Sequence, residues 1–136
     1  MTALVDTGFL YATLDKGDKN HQRATSVLAA LTDDLLLPTI VLVELTYLLQ
    51  ARLGHAAMRL FIQRLENNPL QFQSITKFDV PRIYEFLDQY ADMSLDFVDA
   101  AIVTLAERLG IQRILTVDKD FRIIRPRHCE YFEILP

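Results

Sequence analysis

Five short apolar runs, each too short for a typical helix, recur along the chain between segments with helical spacing. We predict that these runs are strands: Thr2–Val5, Leu35–Leu37, Leu70–Ile75, Arg113–Val117 and Tyr131–Leu135. The segments between them are predicted helices: Phe9–Leu14, Lys19–Leu31, Ile40–Arg52, Ala56–Glu66, Asp79–Tyr90 and Met93–Gly110. Short strands that alternate with helices are typical of a parallel sheet with helices on both faces. We therefore predict a three-layer α/β fold, one domain over residues 1–136, with a mainly parallel sheet of four to five strands.

The composition is that of an ordinary globular protein, with 51% hydrophobic and 24% charged residues. Cys129 is the only cysteine, so no internal disulfide can form and a reducing cytoplasm fits best. The beginning of the chain lacks the basic segment and cleavage site of a signal peptide. The longest apolar run, Leu35–Leu49, is interrupted by Pro38 and Glu44 and is too short to span a membrane. We expect a cytoplasmic protein without a membrane segment.

The predicted helix Met93–Gly110 contains one charge, Asp99, in a stretch that is otherwise almost entirely apolar, FVDAAIVTLA. A helix that is apolar nearly all round is a buried helix, and a carboxylate there is costly unless it is paired or bound to metal. With Ser94 as the N-cap, Asp96 and Asp99 would share one face of the first two turns. Alternatively, Asp96 is itself the cap and Asp99 interacts with the positive end of the helix.

Four carboxylates are predicted to meet at one edge of the sheet. Asp6 and Asp118 follow strands, whereas Glu44 and Asp99 lie early in helices. In parallel sheets of this kind, ligands bind beyond the carboxyl ends of the strands. Capping of the first helix by Asp6 and a solvated position for Glu44 remain open alternatives, and either Asp118 or Asp120 is expected to be a turn or cap residue.

Carboxylates packed this closely repel one another unless a cation or protons neutralise them. Their hard oxygen atoms suit Mg²⁺ or Mn²⁺, and zinc is disfavoured because no His or Cys lies near any of the four. Such ions can activate a water and stabilise the leaving oxygen in phosphodiester cleavage. The net charge of −4 is unusual for a nucleic-acid binder, but four metal-bound carboxylates would leave the remaining charges balanced. No nucleophile motif or Gly-rich phosphate loop competes with this interpretation.

Four segments, in order, resemble those of PIN-domain ribonucleases and, within that group, VapC-type toxins of toxin–antitoxin pairs. They are LVDTGFLYA, PTIVLVELTYLL, MSLDFVDAAIVTLAERLG and ILTVDKDF, and they span essentially the whole chain. The tail IIRPRHCEYFEILP is also similar to one branch of these toxins. The resemblance implies a PIN-like fold and a Mg²⁺-dependent endoribonuclease, with Mn²⁺ as the alternative metal.

The resemblance also implies roles for particular residues. The metal site would comprise Asp6, Glu44, Asp99 and Asp118, with Asp96, Thr7, Thr116 and Asp120 as accessory residues. Asp118 is favoured over Asp120 as the fourth acid because it directly follows the predicted strand, and Asp120 is expected to cap the next turn. Simple capping or strand-end hydrogen bonding remains an alternative role for both threonines.

The partners implied by the resemblance are an RNA substrate, a cognate antitoxin and a second copy in a homodimer. Single-stranded or loop RNA is favoured, because the scissile phosphate must enter a small acidic pocket. The C-terminal third is locally basic and would either hold RNA phosphates or form a solvated face: Lys119, Arg122, Arg125, Arg127 and His128. An alternative function is a non-catalytic PIN-fold module that binds RNA or protein. A receiver-type domain is disfavoured, because a single acid, Asp6, follows the first strand.

Overall fold

The computed structural model describes residues 1–136 and contains five strands, six α-helices and three short 3₁₀ turns. The strands are β1 Thr2–Val5, β2 Asp34–Pro38, β3 Gln71–Gln73, β4 Arg113–Leu115 and β5 Glu133–Leu135. The helices are α1 Thr7–Leu14, α2 His21–Ala30, α3 Val41–Leu53, α4 His55–Leu65, α5 Val80–Gln89 and α6 Phe97–Leu109. The 3₁₀ turns are Lys77–Asp79, Ala91–Met93 and Lys119–Arg122.

All strand pairs are parallel, and the order across the sheet is β3-β2-β1-β4-β5. The first strand is therefore the central one: Leu4 of β1 lies opposite Leu36 of β2 on one side and Ile114 of β4 on the other. The chain winds outwards from β1 to β3 and then crosses back to β4. Ligands bind where the winding direction changes in this way, which in this protein is the carboxyl end of β1 and β4.

The helices form a layer on each face of the sheet. Helix α1 packs against α2 and α3, and α3 packs against α4, whereas α5 and α6 pack against each other. Right-handed crossovers place the first four helices on one face and the last two on the other. All residues of Ala100–Ala106 in α6 are buried, which confirms the prediction of a buried helix. The predicted three-layer fold and parallel sheet are confirmed.

Several predicted helix starts are wrong. Helix α6 begins at Phe97, because Ser94 has a left-handed backbone with φ 53° and Asp96 is the N-cap that accepts from Asp99 N at 2.8 Å. Helix α3 begins at Val41, one residue later than predicted, and no side chain caps it.

Strand β4 ends at Leu115, two residues earlier than predicted. The backbone of Thr116 still donates to Leu135 O, but the chain then turns and Asp118 caps the 3₁₀ turn Lys119–Arg122. The expectation that Asp120 caps this turn is wrong, because Asp120 N is the donor and Asp118 Oδ1 the acceptor, at 2.9 Å. Asp118 thus lies in a short loop beyond the strand.

Two ion pairs fix the second helical layer. Arg82 of α5 forms a bidentate ion pair with Glu107 of α6: Nε donates to Oε1 at 2.7 Å and Nη2 donates to Oε2 at 2.8 Å. Arg108 of α6 pairs at 2.8 Å with the buried Asp79 just before α5. Together they hold α6, which carries Asp99, against α5 and the 3₁₀ turn that precedes it. The longest helices, α3 and α6, have 13 residues each, so no helix of this structure could span a bilayer.

Candidate active site at the carboxyl edge of the sheet

Asp6 occupies the junction between β1 and α1 and is held on both sides. Its backbone N–H donates to Leu115 O of the neighbouring β4 at 2.9 Å. Its Oδ1 accepts from Thr7 N and its Oδ2 accepts from the Thr116 hydroxyl, each at 2.7 Å. Asp6 is therefore the N-cap of α1, as one alternative predicted, and is also tied to the loop that follows β4.

Thr116 connects Asp6 to Asp118. The same hydroxyl that donates to Asp6 accepts from the backbone N–H of Asp118 at 3.0 Å. Thr116 is almost completely buried, and its hydrogen bond to Asp6 is buried with it, whereas the bond from Asp118 is only partly so. The threonine hydroxyl thereby fixes the start of the loop from which the Asp118 carboxylate projects.

Glu44 lies in the first turn of α3 and is held from α1. The Thr7 hydroxyl donates to Glu44 Oε1 at 2.8 Å. This contact joins two helices that pack side by side on the same face of the sheet. The hydroxyls of Thr7 and Thr116 thus each contact a predicted site acid.

Asp99 lies in the first turn of α6 and approaches the same edge from the other face of the sheet. Burial, together with the negative charges of other acids, raises its pKa to about 9. The acids whose charges act on Asp99 are Asp6, Asp96, Asp118 and Glu44. A carboxyl group in this environment keeps its proton at neutral pH unless a cation replaces it. All four predicted metal ligands and Asp96 therefore share one electrostatic environment.

Asp6 responds to the same neighbours. Its pKa is raised to about 6, chiefly by burial and further by the charges of Asp118 and Glu44, although hydrogen bonds from Thr116 and Thr7 oppose the shift. None of the six ion pairs of the chain involves these acids. The edge of the sheet thus carries negative charge that no basic side chain neutralises.

The structure distinguishes Asp118 from Asp120. Asp118 is partly buried, and its charge acts on both Asp6 and Asp99. Asp120 is exposed, and its charge is not among those that chiefly raise the pKa of Asp6 or Asp99. Asp118 is therefore the member of this pair that lies with the other acids.

The donor set fits a hard divalent cation by its chemistry and charge. It consists of carboxylate oxygens, and each such oxygen has two lone pairs, so Asp6 and Glu44 retain acceptor capacity beside their hydrogen bonds. Mg²⁺ and Mn²⁺ prefer such ligands. In the structure, however, no three acidic, His or Cys side chains converge on one point that would hold an ion. A cation would therefore have to draw the carboxylates together.

Gly8 is a residue of this site that the sequence analysis did not identify. A Cβ at Gly8 would lie 2.9 Å from Cγ2 of Val117, which is closer than real Cβ contacts allow. The absence of a side chain lets the first turn of α1 pack against the loop that leads to Asp118. The available signal was a glycine directly after Asp6 and Thr7 at a strand-to-helix junction.

The sequence of the chain matches the model of a known protein family. The family model of the PIN domain matches residues 3–125. The chain therefore belongs to the PIN-domain family, which confirms the resemblance found in its sequence.

The chain is also similar to individual VapC-type proteins. Ribonuclease VapC26 of Mycobacterium tuberculosis is 26% identical over 134 residues, which cover 98% of this chain and 99% of the relative. The crystal structure of M. tuberculosis VapC20, described as a sarcin–ricin loop cleaving toxin, matches with a TM-score of 0.83 at 25% identity, over 94% of this chain and 98% of that one. VapBC2 from Rickettsia felis, solved with a DNA fragment from its promoter, shares the fold at a TM-score of 0.67 and 16% identity, over 100% of both chains.

Proposed function

We propose that this protein is a Mg²⁺-dependent endoribonuclease and the toxin of a type II toxin–antitoxin pair. The observation that carries the proposal is the group of acids at the reversal point of the sheet: Asp6, Glu44, Asp96, Asp99 and Asp118. Their negative charge has no basic partner in the chain, and Asp99 has a pKa raised to about 9. A site of this kind is suited to metal-assisted hydrolysis of a phosphodiester.

Asp6, Glu44, Asp99 and Asp118 are the proposed metal ligands. When bound, Mg²⁺ or Mn²⁺ would activate a water molecule and stabilise the negative charge on the leaving oxygen. Thr116 orients Asp6 and the start of the Asp118 loop, and Thr7 orients Glu44. Partners that hold metal-binding carboxylates in place commonly affect metal affinity or activity 10–100-fold.

Asp96 has a supporting role in this proposal. It caps α6 through Asp99 N and adds negative charge next to Asp99. Asp120 is assigned only to the backbone of the turn that Asp118 caps, since its side chain is exposed.

The relatives support the choice of substrate and partner. VapC26 is named as a ribonuclease, and VapC20 is described as a toxin that cleaves the sarcin–ricin loop. A Klebsiella pneumoniae match at 22% identity and a TM-score of 0.63 is a toxin–antitoxin complex. By analogy we propose RNA as the substrate, a cognate antitoxin that blocks the acidic edge, a homodimer and a cytoplasmic location.

The decisive experiment incubates the purified protein with total RNA in Mg²⁺, in Mn²⁺ and in EDTA, followed by mapping of new 5′ ends. We expect discrete new ends with either metal and none with EDTA. Cleavage that persists undiminished after complete metal removal would refute the metal dependence.

A pair of variants separates this protein from a contaminating nuclease. Glu44→Gln removes a proposed ligand charge and is expected to abolish the mapped cuts. Glu66→Gln removes the same charge from the exposed residue that follows α4 and is expected to leave them unchanged. Intact RNA under all metal conditions, combined with tight RNA or protein binding, would instead identify a non-catalytic module.

A further inference from the structure

Three cationic residues, spaced three positions apart, follow Asp118 along the chain. Lys119, Arg122 and Arg125 are exposed, whereas Phe121 and Ile124 are fully buried. A 3₁₀ helix has three residues per turn, so Lys119 and Arg122 lie above one another on its outer side. We call Lys119, Arg122 and Arg125 the basic stripe.

The stripe residues have no acidic partners. The side chains of Lys119 and Arg122 form neither an ion pair nor a hydrogen bond with the rest of the chain. Arg125 donates through Nη1 to the carbonyls of Arg122 and Ile124, which leaves its other N–H groups free. Four other arginines of the chain pair with carboxylates: Arg82, Arg108, Arg113 and Arg127.

The structure divides the basic C-terminal region into two groups. Arg127 pairs with Glu85 at 2.9 Å, and His128 bonds to Ile111 O at 2.8 Å, so both have partners within the fold. The stripe residues have no acidic partner within the fold. They do not pair even with Asp118, which directly precedes the stripe and belongs to the acids of the carboxyl edge. The stripe cations are therefore not counter-ions of the site.

The segment that carries the stripe is firmly held, although its only regular element is the 3₁₀ turn Lys119–Arg122. The hydroxyl of Tyr90 accepts from Arg125 N at 2.8 Å, and Glu107 Oε2 accepts from Arg127 N at 2.6 Å. Phe121 and Ile124 anchor it in the core. Because the backbone is fixed, binding has to order only the three side chains and not the segment that carries them.

We propose that the basic stripe binds backbone phosphates of the RNA strand next to the scissile phosphate. This inference rests on the proposed function. The net charge of −4 gives the chain no general attraction for RNA, so binding depends on cations that are grouped locally. The stripe begins one residue after Asp118, at the carboxyl edge, and both guanidinium and ammonium groups bind phosphate oxygens.

The test measures the salt dependence of RNA binding by fluorescence anisotropy, with a labelled single-stranded oligoribonucleotide in EDTA to prevent cleavage. The stripe variant carries Lys119→Gln, Arg122→Gln and Arg125→Gln. The matched control carries Lys16→Gln, Lys19→Gln and Arg23→Gln, which remove the same charge from exposed residues beyond the far end of α1. Thermal melts verify that both variants are folded.

Each lost phosphate contact reduces the slope of log K against log salt by about 0.7 for single strands. We therefore expect the slope of the stripe variant to fall by about 2 and its affinity to drop at least about tenfold at low salt. We expect the control to behave as the wild type. The stripe variant should also cleave total RNA more slowly, in Mg²⁺, at RNA concentrations below saturation.

Slopes that are equal for the stripe variant and the wild type would overturn the proposal and leave the stripe available for a protein partner. The proposed nuclease function can fail or hold independently of the stripe assignment. If the wild type binds RNA through the stripe but never cleaves it with Mg²⁺ or Mn²⁺, the nuclease function fails and the stripe assignment stands. If it cleaves and the stripe variant cleaves equally well, the stripe assignment fails alone.

Discussion

The buried hydroxyl of Thr116 donates a 2.7 Å hydrogen bond to Oδ2 of Asp6, which lies 110 residues earlier in the chain. The same oxygen accepts from Asp118 N. One hydroxyl therefore aligns two of the proposed metal ligands, and its removal leaves a buried carboxylate oxygen and a backbone N–H without their partner.

Replacement of Thr116 by valine is expected to lower the free energy of unfolding by about 1–3 kcal/mol and RNA cleavage by about 10–100-fold. Thr116→Ser should restore most of the cleavage, because it retains the hydroxyl. The matched control is Thr104→Val: Thr104 is also buried, but its hydroxyl donates only to Ala100 O within α6. Equal cleavage by the valine and serine variants of Thr116 would show that the hydroxyl does not position the site.

Asp99→Asn is expected to stabilise the metal-free protein and to abolish cleavage. Burial and four acidic neighbours make an ionised Asp99 unfavourable, and asparagine removes the charge at similar volume. At pH 8 without metal we expect the Tm to rise by roughly 3–6 °C, which corresponds to about 1 kcal/mol. Asp92→Asn, in the exposed turn before α6, is the control and should change neither quantity. An Asp99→Asn protein that cleaves normally would exclude Asp99 from the site.

The metal-free protein should lose stability as the pH rises from 5 to 9. Asp6 and Asp99 have folded-state pKa values of about 6 and about 9, both raised from 3.8, so the folded state holds more protons than the unfolded state in this range. The lowered pKa values of Asp79 and Glu107 affect stability only at more acidic pH. Thermal melts between pH 5 and pH 9 test whether stability falls as the pH rises. In Asp99→Asn the decline above pH 7 should be largely absent, and Mg²⁺ should flatten the wild-type curve.

Asp118→Ala is expected to reduce cleavage at saturating Mg²⁺ by about 100-fold or more, and Asp120→Ala by no more than about threefold. The reason is positional: the charge of Asp118 reaches both Asp6 and Asp99, whereas the Asp120 side chain is exposed. Single-turnover cleavage of one oligoribonucleotide compares the two variants directly. A larger loss for the Asp120 variant would reverse the assignment of the fourth acid.

Gly8→Ala should destabilise the protein by roughly 1–3 kcal/mol and slow cleavage, because the new methyl group would contact Val117 at 2.9 Å and displace the loop to Asp118. If this contact causes the loss, a smaller side chain at Val117 should restore activity. Val117→Ala removes the clashing Cγ2, so the double variant should recover much of the activity that Gly8→Ala loses. Additive losses in this double-mutant cycle would show that the two positions are not coupled.

The sequence predicted the layers and the sheet because each strand is a short apolar run between amphipathic segments. It also placed Asp6, Glu44, Asp99 and Asp118 at one edge, because Asp6 and Asp118 follow strands and the other two lie early in helices. Their role in metal binding stays a prediction.

The finer geometry could not be predicted, because it depends on contacts between distant segments. By residue type, Ser94 and Asp96 were both possible N-caps. The choice depends on the left-handed backbone of Ser94, which ends the preceding turn, so that Asp96 is the cap. The contact between Gly8 and Val117 joins residues far apart in sequence, so no local pattern reveals it.

The central position of β1 also determines when the acidic edge can exist during synthesis. Asp6 is made almost first, but its partner Thr116 and the neighbouring strand β4 are made more than 100 residues later. At about 5–20 residues per second, this interval is roughly 5–20 s. A nascent chain that stops before β4 lacks both the strand and the threonine that hold Asp6, and the loop that carries Asp118. The ribosome therefore completes most of the polypeptide before the edge can assemble, and truncated products of translation cannot carry it.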